Sequence, residues 1–214
     1  MADDRPRPSQ PRTARSGAAR SRTTPERLVD AAARLFQQNG YAQTGIAEIL
    51  ASSGVPKGSL YHHFPGGKED LALAAADRAG RSLVRLTDRV AAAGRPPAAL
   101  IAEICAALAD VFETSEGWRG CPVTLTLLAG RPSDRFTKRA RSIYDDWAGT
   151  IAVHLAEAGL SDDEAAKLAR RSLVVLQGAW VLARAEESGA PLRDAAAIIL
   201  PPDGAPHADE LGGD

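Results

Sequence analysis

The 214-residue sequence has only two cysteines, 5% aromatic residues and no long apolar run. Cys105 and Cys121 form no C-x-x-C pair and no secretory leader is recognisable, so we expect reduced thiols and a cytoplasmic protein. No stretch approaches the ~18 consecutive apolar residues of a membrane-spanning helix, which excludes a transmembrane protein. Runs of strand-favouring residues are almost absent, and the composition therefore favours an all-α fold.

The formal net charge of −1 hides an uneven distribution of charge along the chain. Residues 1–68 contain 10 Lys and Arg against 5 Asp and Glu, a balance of +5, and residues 69–214 contain 16 against 22, a balance of −6. A basic N-terminal part suits a polyanionic partner, and an acidic remainder suits a separate task.

The first 23 residues are rich in Arg, Pro, Ser and Thr, and we expect them to form a disordered basic arm. The arginines of this arm either follow a phosphate backbone or belong to a solvated tail without a specific role. They are Arg5, Arg7, Arg12, Arg15, Arg20 and Arg22. At the other end, residues 201–214 are expected to form a flexible tail.

Helix signals begin at residue 24 and continue through a predicted DNA-binding unit, residues 24–68. Thr24 with Pro25, or alternatively Thr23 in a capping box with Glu26, predicts the start of a first helix that ends at Gly40. A second short helix capped by Thr44 ends near Gly54, and a third opens at Pro56. Two helices joined by a brief glycine-containing turn are typical of a helix-turn-helix.

Regular Gly and Pro clusters divide the rest of the chain into apolar-periodic segments of helical length. We therefore predict about nine helices in all, with residues 69–200 as a helical ligand-binding and dimerisation domain.

The third helix carries the pattern that most favours DNA binding. Leu60 and Phe64, four residues apart, hold it to the core, which leaves mostly small or polar side chains outward. Short side chains at the N-terminal end fit a groove, and polar groups donate to phosphates and base edges. The alternative is a small helix whose polar face is simply solvated.

The stretch from Gly54 to Phe64, G-V-P-K-G-S-L-Y-H-H-F, and the following Lys68-Glu69 resemble the N-terminal domain of the TetR family of regulators. Pro65-Gly66-Gly67-Lys68-Glu69, together with Thr44-Gly45 and the later Gly120-Cys121-Pro122, resembles the branch that contains LmrA and YxaF. The resemblance implies a set of DNA contacts: Thr44, Lys57, Gly58, Ser59, Tyr61, His62 and Lys68.

Within that set, the resemblance implies that Lys57, Gly58 and Ser59 lie in or beside the major groove. Tyr61, His62 and Lys68 would contact phosphates. Thr44 would cap the second helix near a further phosphate. Many family members carry Ser or Thr where this chain has Gly45, so one hydroxyl contact is missing here.

A helix predicted from about residue 162 to 188 is apolar on most sides between Leu173 and Ala183, which requires cover on more than one side. TetR-like regulators dimerise through their last two main helices, and Gly178 would permit close approach. The implied interface residues are Leu173, Leu176, Gln177, Trp180, Val181 and Arg184. The alternative is that this helix is the central core of a single subunit.

The resemblance also implies a small-molecule pocket in the second half of the chain. Its candidate lining residues are Phe112, Trp118, Cys121, Tyr144, Trp147 and Trp180. Aromatic residues at helical spacing are otherwise ordinary core residues, and that alternative stays open.

No catalytic, cofactor or metal site is predicted. His62 and His63 are adjacent and diverge by roughly 100° on a helix, so they do not chelate one metal. The predicted function is a ligand-responsive homodimeric repressor that releases a palindromic operator when a small hydrophobic effector binds. The alternative is an all-helical enzyme or small-molecule carrier that retains a helix-turn-helix-like head.

Overall fold

The computed structural model describes residues 23–114 and 120–200. These ranges form eight α-helices and one five-residue π-helix, π1, and contain no strand, which confirms the all-α prediction of about nine helices. The elements are α1 (Thr24–Asn39), α2 (Ile46–Ser53), α3 (Lys57–His63), α4 (Lys68–Ala91), α5 (Pro97–Thr114), π1 (Thr124–Leu128), α6 (Asp134–Glu157), α7 (Asp162–Glu186) and α8 (Ala190–Ile199). The predicted arm and tail lie outside the described residues, apart from Thr23.

Helices α1, α2 and α3 and the start of α4 form a small unit that we call the head. A capping box opens α1, in which the backbone N–H of Thr23 donates to Glu26 Oε2 at 2.8 Å. Of the two predicted starts, the structure has the Thr23 capping box. Gly40 ends this helix at a φ of 80°, a left-handed conformation that glycine adopts at little cost. Leu28, Ile49 and Leu60 are fully buried between these helices.

Helix α4 joins the head to the body, which consists of α5 to α8 and π1. It packs against α1, where Arg78 pairs with Asp30, and against α6, where Arg139 Nε donates to Asp77 at 2.5 Å. At Gly80 the two helices approach so closely that an added Cβ would lie 2.6 Å from Ile143 Cγ2. Helix α4 therefore contacts both the head and the body.

The body is built around the long helices α6 and α7. Ser161 opens α7 with a capping box to Glu164, three residues further on, a spacing typical of a helix start. Near the far end of α4, His154 on α6 lies 2.9 Å from both Asp88 and Glu157. In the part of the chain that the structure describes, no helix is both long enough and apolar enough to cross a membrane.

Candidate nucleic-acid interface

Helix α3 presents a polar surface on a buried anchor. Leu60 is fully buried, and the side chains of Lys57, Tyr61 and His62 are exposed. Tyr61 is 42% exposed, so its ring and its hydroxyl are accessible from outside. The predicted outward face of α3 is therefore the face that the structure exposes.

Gly58 and Ser59 complete the N-terminal half of this face. Gly58 is exposed, and an added Cβ there would have nothing within 4 Å, whereas Ser59 is half-buried. A surface without side-chain bulk at the start of a helix allows a partner to approach the backbone closely. Helix α3 has only seven residues, so its position depends on the elements that hold it.

Arg27 on α1 holds the turn that precedes α3. Its Nη2 donates to the carbonyl oxygens of Ser53 at 2.7 Å and Gly54 at 3.3 Å, and so caps the C-terminal end of α2. Gly54 adopts a φ of 63° in this turn. The partners of Arg27 are backbone groups 26 and 27 residues away, and no sequence spacing points to them.

The prediction that Thr44 caps α2 is wrong. Gly45 is the N-cap residue, and the Thr44 hydroxyl donates instead to the carbonyl oxygens of Gly40 at 2.9 Å and Leu35 at 3.2 Å. Only 1% of Thr44 is exposed, so its side chain ties the end of α1 to the start of α2 and is not available to phosphate.

The structure places the Lys68 side chain against the loop between α1 and α2. Its ammonium donates to the carbonyl oxygens of Tyr41 at 2.9 Å, Thr44 at 3.0 Å and Ala42 at 3.5 Å. These bonds occupy all three donors of an ammonium group, and burial lowers the pKa of Lys68. Lys68 therefore binds the loop between α1 and α2.

The candidate pocket residues of the body have different environments. Trp147 is fully buried and its indole N–H donates to the Thr87 hydroxyl at 3.2 Å, which makes it a core residue, the alternative given above. Trp180 is also buried and forms an edge-to-face contact with Phe112 at 6.0 Å between ring centroids. Trp118 lies outside the described residues.

Cys121 and Tyr144 belong to a connected group that we call the Tyr144 cluster: Cys121, Thr124, Tyr144 and Gln177. The Tyr144 hydroxyl lies 2.6 Å from the Thr124 hydroxyl and 3.7 Å from the Cys121 sulfur. The Thr124 hydroxyl donates to Gln177 Oε1 at 3.0 Å. Burial, and then the neighbouring Cys121, raise the pKa of Tyr144, which keeps the phenol neutral. Sequence reasoning did not find Thr124.

Four of the six predicted interface residues point into their own subunit in the single chain. Leu173, Leu176 and Trp180 are at most 4% exposed and pack in the core of their own chain. Gln177 also points inward, since it bonds with Thr124.

The two other predicted residues, Val181 and Arg184, are exposed on α7. Sequence reasoning missed further apolar side chains that lie on exposed surface near them: Val174, Leu182 and Ile198. The exposed apolar face of α7 is thus rotated about the helix axis from the face that the sequence predicts as the subunit interface. An almost uniformly apolar helix gives no signal for that rotation.

No group of three or more His, Cys, Asp or Glu side chains suited to a metal ion occurs among residues 23–114 and 120–200. His62 and His63 form an edge-to-face ring contact at 4.9 Å.

This arrangement, a short exposed helix held after a tight turn and followed by a helical body, defines a helix-turn-helix protein. A family model for bacterial regulatory proteins of the tetR family matches residues 28–75, and a model for the C-terminal domain of LmrA/YxaF-like transcriptional regulators matches residues 97–198. The chain belongs to the TetR family of transcriptional regulators, in its LmrA/YxaF-like branch. The resemblance seen in the sequence is therefore confirmed.

Two relatives from Bacillus subtilis illustrate the match. The chain is 32% identical to the HTH-type transcriptional regulator YxaF over 171 residues, which cover 78% of this chain and 88% of YxaF. It is also 32% identical to the HTH-type transcriptional regulator LmrA over 168 residues, 78% of this chain and 89% of LmrA. A TetR regulator structure from Chloroflexus aurantiacus superposes with a TM-score of 0.63 at 30% identity, covering 82% of this chain and 91% of that one. These relatives are regulators and not enzymes, as the sequence predicts.

Proposed function

We propose that this TetR-family regulator is a cytoplasmic homodimeric repressor that releases a palindromic operator when a small hydrophobic effector binds the body. The observation that carries the DNA-binding part is the face of α3, where exposed polar side chains stand on the buried Leu60. Residues 24–68 would form the DNA-binding domain and residues 69–200 the effector and dimerisation domain, with α4 common to both.

The proposed DNA contacts are Lys57, Gly58, Ser59, Tyr61 and His62. Lys57 supplies positive charge for a phosphate, and Gly58 lets the backbone enter the groove. Tyr61 and His62 donate to phosphates from the following turn. Thr44 and Lys68 act indirectly, since they fix the loop that leads into α2.

Dimerisation would use the exposed apolar side of α7 together with α8. Val174 and Val181 are 62% and 67% exposed in the single chain, and Gly178 lies between them with nothing within 4 Å of an added Cβ. Covering such side chains removes apolar surface from water, which favours association. A two-fold dimer presents two α3 helices to half-sites about 34 to 36 Å apart, or a multiple of that distance.

The effector response would pass from the body to the head through π1. Its first residue, Thr124, belongs to the Tyr144 cluster, and π1 as a whole contacts α1, α4 and α6. Its residue Leu127 lines a cleft of about 180 Å³ between body and head together with Tyr41 and Phe136. Tyr41 in turn lies beneath the Lys68 ammonium. A shift of π1 would therefore reach the loop that Lys68 holds, and an effector that favours the shifted state lowers operator affinity.

A gel-shift titration of the full-length protein with the DNA upstream of its own gene tests the proposal. We expect a shifted band that a palindromic competitor removes and that a competitor with one scrambled half-site does not. Transcription from that promoter in vitro should fall when the protein is added. No shift, or a rise in transcription, would contradict the repressor function.

A further inference from the structure

Helix α3 begins without a side-chain cap. Its N-cap residue, Pro56, offers no side-chain acceptor to the first turn, and within the helix Leu60 is the buried anchor. The residues proposed to lie in the groove, Lys57 to Ser59, follow Pro56 directly. A helix of seven residues depends on its surroundings for its position, so the turn that enters α3 decides where these residues lie.

Arg27 holds this turn from α1. Its Nη2 donates to the carbonyl oxygens of Ser53 at 2.7 Å and Gly54 at 3.3 Å, at the C-terminal end of α2. The helix dipole favours a cation at this end, and the last carbonyl groups of a helix need donors. Gly54 has a φ of 63°, and a Cβ added to it would lie 3.0 Å from Arg27 Nη2. The guanidinium and the backbone of the turn therefore fit closely against each other.

A second arginine of α1 makes a different contact with the same end of α2. Arg34 follows Arg27 by about two helical turns, and its Nη2 donates to the Ser52 hydroxyl at 2.5 Å. That bond ends on a side chain, whereas Arg27 bonds with the backbone of the turn. Both arginines are exposed and carry the same charge. Arg34 is therefore a matched control for Arg27.

The Arg27 contact concerns how DNA is read more than how strongly it is attracted. Attraction to phosphates depends on charge and carries no sequence information. Side chains that read base edges must instead be held to within about 0.5 Å of the productive geometry. A loosened turn would let the start of α3 shift, so the specific contacts would weaken while the electrostatic attraction persists.

We infer that Arg27 is a positioning residue for operator recognition, which fixes the start of α3 through the Ser53 and Gly54 carbonyl oxygens and sets specificity without contacting DNA. This inference rests on the proposed function, since it takes α3 as the helix that enters the groove. The other role open to an exposed arginine of the head is a direct phosphate contact, and the salt dependence of binding separates the two roles.

Arg27→Met and Arg34→Met, each made in the full-length protein, test the assignment. Methionine keeps an unbranched apolar stem and removes the charge and all the donors. Specificity is measured as the affinity for the DNA upstream of the gene divided by the affinity for a scrambled duplex of equal length. This ratio should fall about tenfold in Arg27→Met and change by less than about twofold in Arg34→Met. The slope of log affinity against log salt should be the same in both variants, because neither loses a phosphate contact.

Hydrogen exchange of the free proteins provides a measurement that needs no DNA. The Gly54 amide donates to the Leu50 carbonyl oxygen at 2.9 Å, and it should exchange about tenfold faster in Arg27→Met because the end of α2 opens more often. The Gly40 amide at the other end of α1 should keep its exchange rate. Thermal melting shows that both variants are folded at the temperature of the binding measurements.

Three results would overturn the inference alone and leave the proposed function intact. They are equal specificity ratios in the two variants, an unchanged exchange rate at Gly54, and a salt slope about one unit lower in Arg27→Met only, which would place Arg27 on a phosphate. If the unchanged protein does not prefer the upstream DNA to the scrambled duplex, the proposed function fails and the role of Arg27 in recognition fails with it.

Discussion

The ammonium of Lys68 lies 4.3 Å from the centre of the Tyr41 ring while it donates to the Tyr41 carbonyl oxygen. One cation thus holds both the side chain and the backbone of the same residue, in the loop that leads to the helix-turn-helix. Tyr41 continues the contact into the body through an edge-to-face packing with Phe136 at 5.0 Å.

Replacing Lys68 with Met should lower the free energy of unfolding by about 1–3 kcal/mol, because partly buried carbonyl oxygens lose their donor. Urea titration followed by circular dichroism measures this loss. The salt dependence of operator binding should stay the same, since the ammonium is engaged inside the protein. A fall in the salt slope of about one unit would instead place Lys68 on a phosphate.

Lys57→Ala should weaken operator binding and reduce the slope of log affinity against log salt by about one unit, because one phosphate contact is lost. Fluorescence anisotropy at several salt concentrations measures both quantities. Lys167→Ala is the matched control, since Lys167 is exposed on α7 and pairs with Asp163. Equal slopes for the two variants would show that Lys57 does not contact DNA.

Val181→Glu should convert the dimer into a monomer, because a charge would be buried at the proposed α7 interface. Light scattering after size exclusion should change from twice the chain mass of 22.5 kDa to that mass itself. Val153→Glu makes the same change at a valine on α6 that is 57% exposed, and it should leave the dimer intact. If both variants stay dimeric, the subunits meet elsewhere.

Gly80→Ala should destabilise the protein by about 1–3 kcal/mol, because the new methyl group would lie against Ile143 where α4 and α6 cross. This loss outweighs the gain of up to about 1 kcal/mol that alanine brings within a helix. Gly149→Ala on α6 is the control, since an added Cβ there has nothing within 4 Å. Thermal melting should move in opposite directions for the two variants.

His154 makes stability depend on pH at the far end of α4. Burial alone would lower the pKa of His154, but hydrogen bonds and charges from Asp88 and Glu157 outweigh it and raise the pKa. The stabilisation is complete below the unfolded pKa of about 6.5 and is lost as the pH rises through the raised folded value. His154→Gln should therefore cost more stability at about pH 5.5 than at about pH 8.5. A cost that is equal at the two pH values would contradict the charge assignment.

Local signals in the sequence were enough for most helix boundaries. The two capping boxes pair backbone N–H groups at a helix start with side chains three residues away, in Thr23 with Glu26 and in Ser161 with Glu164. Gly40 ends α1 through its own backbone conformation. Such local effects can be predicted without tertiary contacts. The outward face of α3 was predictable for the same reason, since the buried Leu60 within the helix fixes its rotation.

The roles that sequence reasoning missed depend on distant backbone groups or on helix rotation. Lys68 bonds with carbonyl oxygens 24 to 27 residues away, and every residue type offers the same carbonyl. Leu176 and Val181 look alike in the sequence, yet one is buried and the other is 67% exposed. A pattern of apolar residues on most sides of a helix cannot distinguish them.

The π-helical turn at Thr124–Leu128 also bears on how regulators of this type diverge. A π turn accommodates one residue more than an α turn, so losing a residue there would restore ordinary helical winding without cutting the chain. Such a change would rotate Thr124 away from Gln177 while the head kept its sequence. Loss of one residue in π1 could thus change the effector specificity of the proposed repressor and leave its operator recognition unchanged.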